Sequence, residues 1–230
     1  MYQPTMFAVG AMIAATAAAP AALADTPREI LTAAAFQAPD KKKALALIGQ
    51  AINASDRILA ARPGDREATL QRGVAIGYRA KLTRSRTDAR TSLEIFQRLA
   101  AQNPRDPEAQ MVIAGWHLDA IDQLGGLMAR TMVGARADAG EAALSRAVSL
   151  GGDRAFYLGL AAMMHIRKDP ADVAQARRWA EAAASASAPT PLDAQMKRAA
   201  AAILPSLRAN DGKAAARLAR KLLPFGKLAD

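Results

Sequence analysis

Arg62-Pro63-Gly64-Asp65-Arg66-Glu67-Ala68 and Asn103-Pro104-Arg105-Asp106-Pro107-Glu108-Ala109 are two versions of one phrase: a turn proline, an aspartate two residues on, then a segment that begins x-Glu-Ala. Proline lacks an N–H to donate and resists the helix interior, while an aspartate oxygen accepts the free N–H groups of a first helical turn. The phrase therefore closes one helix and opens the next. Seven residues after each opening stands a small residue, Gly73 and then Ala114.

Working outward, the same punctuation recurs. Thr26-Pro27, Asp106-Pro107, Asp169-Pro170 and Thr190-Pro191 each set a side-chain oxygen before a proline, an N-cap followed by the first helical position. Thr26 with Glu29 fits a capping box, and Asp40, Asp65, Asp153 and Asn210 are further caps. This spacing predicts helices over 27–37, 41–61, 66–81, 88–102, 107–124, 137–150, 154–167, 170–187, 191–208 and 211–223. Pro205 predicts a kink or stop near Leu204.

Composition agrees. The 230 residues include 59 alanines, against 17 valines plus isoleucines and 10 aromatics. Alanine is the best helix former, and β-branched and aromatic residues are what strands favour, so the fold class is all-α. The chain has no cysteine, which excludes disulfides, thiolate catalysis, zinc fingers and thiol-linked lipid; its two histidines disfavour an all-histidine metal site. Leu93, Phe96 and Ala100 line one helix face, as do Ile113, Trp116, Ala120, Ile121 and Leu124. A short helix with one apolar stripe cannot bury it alone, so consecutive helices are expected to pair as antiparallel hairpins that stack.

The doubled phrase, with Gly73 and Ala114 at the packing position, resembles the tetratricopeptide repeat, in which a small residue there lets the second helix come close. Phe96 and Leu99 before Pro104 fit the preceding second helix; Ser55 and Ile58 before Pro63 fit less closely. A third copy runs from Leu144, Ala147 and Leu150 through Gly151-Gly152-Asp153 to Leu160 and either Ala161 or Ala162. Pro63 to Pro104 is 41 residues and Pro104 to Gly152 is 48, against a family period of about 34. The surplus falls in longer helices or in insertions around Arg84 to Arg90 and Gly125 to Ala139. The resemblance covers 41–187, with 191–223 as terminal capping helices, and implies a solenoid within a single domain over 25–230. Gly115-Trp116 in a first helix, the long insertion after it and the ending Arg146-Ala147-Val148-Ser149-Leu150 are also similar to the periplasmic T-component associated with TRAP transporters.

The first 24 residues carry no charged side chain, and Met6 to Ala19 is almost wholly apolar. Fourteen or so residues are too few to span a bilayer, which takes roughly 20. Ala22-Leu23-Ala24 offers the small-x-small pattern of a signal peptidase site. Cleavage is expected after Ala24, although Met1-Tyr2-Gln3-Pro4-Thr5 lacks the usual basic residue. No later run is long enough to cross a membrane. The 31 Lys+Arg against 21 Asp+Glu leave +10 on an exported, periplasmic chain. Export argues against a nucleic-acid partner and favours an acidic protein, anionic lipid or cell-wall polymer.

His117, Asp119 and Asp122 lie close in sequence, but a metal needs three or four converging ligands, so they read as packing and solvated side chains. His165 reads as the polar end of a helix. No P-loop, nucleophile elbow, dinucleotide fingerprint or zinc-helix motif occurs, and no catalytic, cofactor or metal residue is assigned.

The expected concave surface is built from first helices, with Glu67, Gln71, Tyr78, Glu108, Met111 and Asp119 free to meet an extended peptide. Arg79, Lys81, Arg84, Arg86 and Arg90 against Asp88 give +4 within 12 residues; Arg84 and Arg86 are expected at the partner surface. In the last helix Ala215, Leu218 and Leu222 form a weak stripe opposite Lys213, Arg217, Arg220 and Lys221, suited to covering the end of the stack. The resulting expectation is a non-enzymatic protein-binding scaffold of the envelope. The alternatives are a solute-binding or transporter-accessory protein, with a pocket lined by Met111, Trp116 and the insertion after Gly125, and an envelope enzyme built on converging carboxylates.

Overall fold

Threonine, serine and aspartate side chains open most of the helices. The computed structural model describes residues 25–228; the expected leader and its cleavage point after Ala24 lie outside them. Among the described residues are helices α1 (Pro27–Phe36), α2 (Lys41–Ala61), α3 (Arg66–Thr83), α4 (Arg86–Gln102), α5 (Pro107–Leu124), α6 (Gly126–Val133), α7 (Ala137–Leu150), α8 (Ala155–Lys168), α9 (Val173–Ser185), α10 (Pro191–Arg208) and α11 (Gly212–Leu222). No strand occurs among them, only one isolated parallel bridge between Arg154 and Ser187. Thr26 and Thr190 form capping boxes with Glu29 and Asp193, and Asp40, Asp65, Ser85 and Asp106 accept N–H groups of the turns they open.

Four local expectations are corrected. Asp169-Pro170 does not open a helix: Asp169 ends α8, its side chain takes the Ala171 N–H at 3.0 Å in an Asx-type turn, and Asp172 caps α9 instead. Asp153 does not cap α8; the Phe156 N–H donates across the interface to Asp193 Oδ1 at 3.1 Å. Asn210 takes a left-handed φ of 57° and leaves the cap to Asp211. Helix α10 runs through Pro205 to Arg208, because Ile203, Leu204 and Leu207 are all buried in the core and their packing offsets one lost backbone hydrogen bond.

The two segments expected as insertions differ from each other. Around Arg84 there is no insertion, only the turn Arg84-Ser85 between two long helices. After Gly125 the insertion contains α6, which sequence reading left unassigned because glycines flank it and no side chain caps it.

Helix α2 packs between α1 and α3, α4 between α3 and α5, α7 against α5, and α9 between α8 and α10. The inner helices α1, α3, α5, α8 and α10 touch in succession, and α11 lies on α8 and α10. Alanine makes these approaches close: Ala44, Ala51, Ala75, Ala109, Ala114, Ala161, Ala176, Ala180 and Ala200 are fully buried. At Gly73 an added Cβ would stand 2.7 Å from the Phe96 ring and 2.9 Å from Ile95, so only glycine admits α4 at that distance. Residues after α11 return to the first helix. The Phe225 N–H donates to the Ala35 carbonyl at 2.8 Å, and the buried Phe225 ring joins the cluster of Leu31, Ala34, Ala35 and Ile48. Helix α11 therefore does not leave a free end behind it; the tail joins the last helices to the first.

Candidate functional site

The inner helices surround a cavity of about 420 Å³, within the range of about 300–1,000 Å³ typical of small-ligand pockets. Each contributes a stripe set by helical periodicity. Val74, Tyr78 and Lys81 come from α3; Met111, Gly115, Trp116 and Asp119 from α5; Phe156, Leu160 and Met164 from α8; Leu192 and Met196 from α10. Helix α1 adds Leu31 and Phe36, α6 adds Met128, Met132 and Val133, and the returning tail adds Leu223 and Pro224. The wall is mainly apolar and holds five methionines, whose unbranched side chains adapt to different shapes. The Trp116 indole N–H donates to the Ala89 carbonyl at 2.8 Å, which fixes the ring at the wall.

Polar groups gather at two places. At the N-terminal ends of α3 and α5, Arg28 bonds Glu67 through two nitrogens, both at 2.8 Å, and Glu108 at 2.5 Å. Arg66 bonds Asp106 at 2.5 and 2.9 Å and Glu108 at 3.2 Å. Burial disfavours the Arg28 charge, but Glu67 and Glu108 outweigh it and hold the guanidinium above the ordinary arginine range.

Farther along, Asp119 bridges Lys81 of α3 at 2.8 Å and Arg167 of α8 at 2.6 Å. Burial raises the Asp119 carboxyl, yet these two cations carry it well below the usual carboxylate range. Arg167 is only 4% exposed, and its Nε and Nη2 make no hydrogen bond among the described residues; Asp122 lies 3.8 Å from Nε. Burial, then the Asp119 charge, pushes the Tyr78 hydroxyl upward, so it remains a proton donor.

The residues expected at a partner surface are placed as follows. Gln71, Tyr78, Arg84, Arg86, Glu108, Met111 and Asp119 all line the cavity, whereas Glu67 stands outside its wall, on Arg28. They are not all free to meet a peptide, which corrects that expectation. Glu67, Glu108 and Asp119 are tied in ion pairs, Gln71 is buried and donates to Glu67 at 3.0 Å, and Met111 is buried. The basic cluster divides: Arg79 pairs with Asp88, Lys81 with Asp119, and Arg90 reaches the Met132 carbonyl, while Arg84 and Arg86 are exposed without an ion pair among the described residues. Sequence reasoning missed the contributions of α1, α8, α10 and the tail. Phe156, Leu160 and Met164 do recur at four-residue spacing, a signal for one helix face but not for a cavity. Met111, Trp116 and the segment after Gly125, named for an enclosed pocket, do line this one.

Neither histidine reaches the cavity. His117 is buried and accepts the Arg136 N–H at 3.2 Å through Nδ1, and His165 Nε2 lies 3.0 Å from Asp172. Among the described residues no three His, Asp or Glu side chains converge as a metal site, and no helix is long and apolar enough to cross a membrane. Compared with family models, curated proteins and solved structures, the chain matches none.

Proposed function

We propose that this protein is a non-enzymatic, exported carrier or transporter-accessory protein, a tetratricopeptide-like stack that holds an elongated apolar molecule among its inner helices. The observation that supports this reading is the cavity wall itself, apolar side chains drawn from every inner helix and five methionines. Burying apolar ligand surface against such a wall supplies the driving force, and flexible methionines accommodate ligands of different outline. Periplasmic location rests on the uncharged apolar leader and Ala22-Leu23-Ala24.

The test is native mass spectrometry of the protein purified from its own envelope, beside the variant Gly115→Leu. A Cβ at Gly115 meets only Met164 Sδ, at 4.0 Å, so a leucine there extends into the cavity without a backbone clash. The wild type should carry a bound small molecule, or take up a saturating amount of an apolar probe, and the variant neither. A wild type that does neither counts against the carrier reading.

A second reading, the protein-binding scaffold, draws on α6: Leu127 is 82% exposed and Met128 54%. Single exposed apolar residues are ordinary, but two adjacent ones at a cavity mouth suit a partner that receives the ligand. Leu127→Ser, which lies outside the cavity wall, should then weaken capture of that partner while leaving ligand uptake intact; equal capture by the variant removes this reading.

A further inference from the structure

The two polar ends of the cavity are not equivalent. At the Arg28 end, two guanidiniums meet three carboxylates, and each charge has a partner within 3.2 Å. That end is closed on itself and carries a small negative excess. At the other end Lys81 and Arg167 share Asp119, and Arg84 and Arg86 line the mouth with no carboxylate on either among the described residues. Tyr78 and Lys81 lie three residues apart in the last turns of α3, and Arg84, its left-handed C-cap at φ 58°, also lines the cavity, so hydroxyl, ammonium and guanidinium all reach the wall. The Tyr78 hydroxyl makes no hydrogen bond among the described residues.

Resting on the carrier reading, we infer that the ligand is a single-chain amphiphile with an anionic head, its chain among the cavity methionines and its carboxylate or phosphate at Arg84 and Arg86. Guanidinium forks match the oxygens of a carboxylate or phosphate head, and the Tyr78 hydroxyl on the cavity wall is a further donor toward an anion. The apolar wall explains the chain, and the unmatched positive charge at one mouth explains the head. A cationic amphiphile would find its head beside two guanidiniums that have no carboxylate partner among the described residues, while Glu108 and Asp119 on the cavity wall are already held in ion pairs.

Calorimetric titration of the protein purified from its own envelope with dodecanoate, dodecanol and dodecyltrimethylammonium at low salt tests this directly. Dodecanoate should bind at least about tenfold more tightly than the other two, and the preference should shrink as salt screens the mouth. Shortening the chain should weaken binding about 3–4-fold per methylene, about 0.8 kcal/mol per buried CH2 converted at 1.4 kcal/mol per tenfold. Arg84→Glu with Arg86→Glu should erase the anion preference, bringing dodecanoate to or below the affinity of dodecanol measured on the same variant; both positions are exposed, and an unaltered melting temperature confirms the fold. Dodecyl phosphate serves as the second head, and a clear gap between it and dodecanoate tells phosphate from carboxylate within the same class. If the three dodecyl ligands bind equally, or the cationic one binds best, or the charge-reversed protein keeps its anion preference, the inference fails while the carrier reading stands. If none binds, both fail.

Discussion

The Phe225 N–H donates to the Ala35 carbonyl at 2.8 Å, joining the tail after α11 to the end of α1. The Phe225 ring meets Tyr78 edge to face, with centroids 4.9 Å apart at 85°. A residue from the tail thus buttresses a residue of the cavity wall, and the cavity is complete only because the chain returns to its beginning. Phe225→Ala should cost about 3–5 kcal/mol by urea denaturation, as for other buried aromatics, and should weaken ligand uptake through Tyr78. A melting curve and an uptake both equal to wild type would show the junction to be incidental.

Asp193 is fully buried and serves three groups: the Thr190 capping box, the Phe156 N–H at 3.1 Å, and Arg154 at 2.8 Å. It ties the start of α10 to the start of α8. Asp193→Ala strands the Phe156 N–H and the Thr190 hydroxyl, and an expected loss of about 2–3 kcal/mol in unfolding free energy follows, at the low end because Arg154 remains partly solvated.

Acid should loosen the inner ring through Asp119. Burial raises this carboxyl, but Lys81 and Arg167 lower it further, so the folded value lies below the ordinary 3.8. In the acid range the unfolded chain then binds the extra proton, and stability falls as pH drops. The contribution is fully present well above pH 3.8 and is progressively lost below it. Asp119→Asn should be less stable than wild type at pH 7, with a shallower decline of melting temperature between pH 4 and pH 2. Parallel slopes in the two proteins would contradict the bridge.

Two glycines should respond unequally. Gly73→Ala puts a Cβ 2.7 Å from Phe96 and should cost about 1–3 kcal/mol through overpacking. Gly115→Ala meets only Met164 Sδ at 4.0 Å and should change stability by far less. Thermal unfolding of the pair gives the comparison within one experiment.

Helix α6 rests on α5 and α4 and is bounded by Gly125 at φ 75°, ψ 153° and Gly134 at φ 79°, ψ 18°. The Gly125 conformation is nearly closed to residues with a Cβ. Gly125→Ala should displace α6 together with Met128 and Met132 from the cavity, raising the release rate of a bound probe in stopped-flow measurements while global stability changes little.

Much of the framework was legible in the sequence because it is local. Caps such as Thr26, Asp65, Asp106 and Thr190 act on N–H groups within three residues of themselves, so helix starts followed from spacing alone. Where a partner lies far along the chain, the reading failed. Phe156 takes its cap from Asp193, 37 residues away, and Pro205 is tolerated because of what α10 buries. The site shows the same division. Tyr78, Met111 and Trp116 were visible as inner-face residues, but their joint cavity depends on α8, α10 and the Phe225 junction, none of which periodicity reveals.

Fluorescence titration with an uncharged naphthylamine probe tests the central claim most directly, comparing wild type with Gly115→Leu at matched melting temperature. Saturable binding of one probe per chain that is lost in the variant is the expected result. A wild type without saturable binding, or a variant that binds as tightly, would contradict the account.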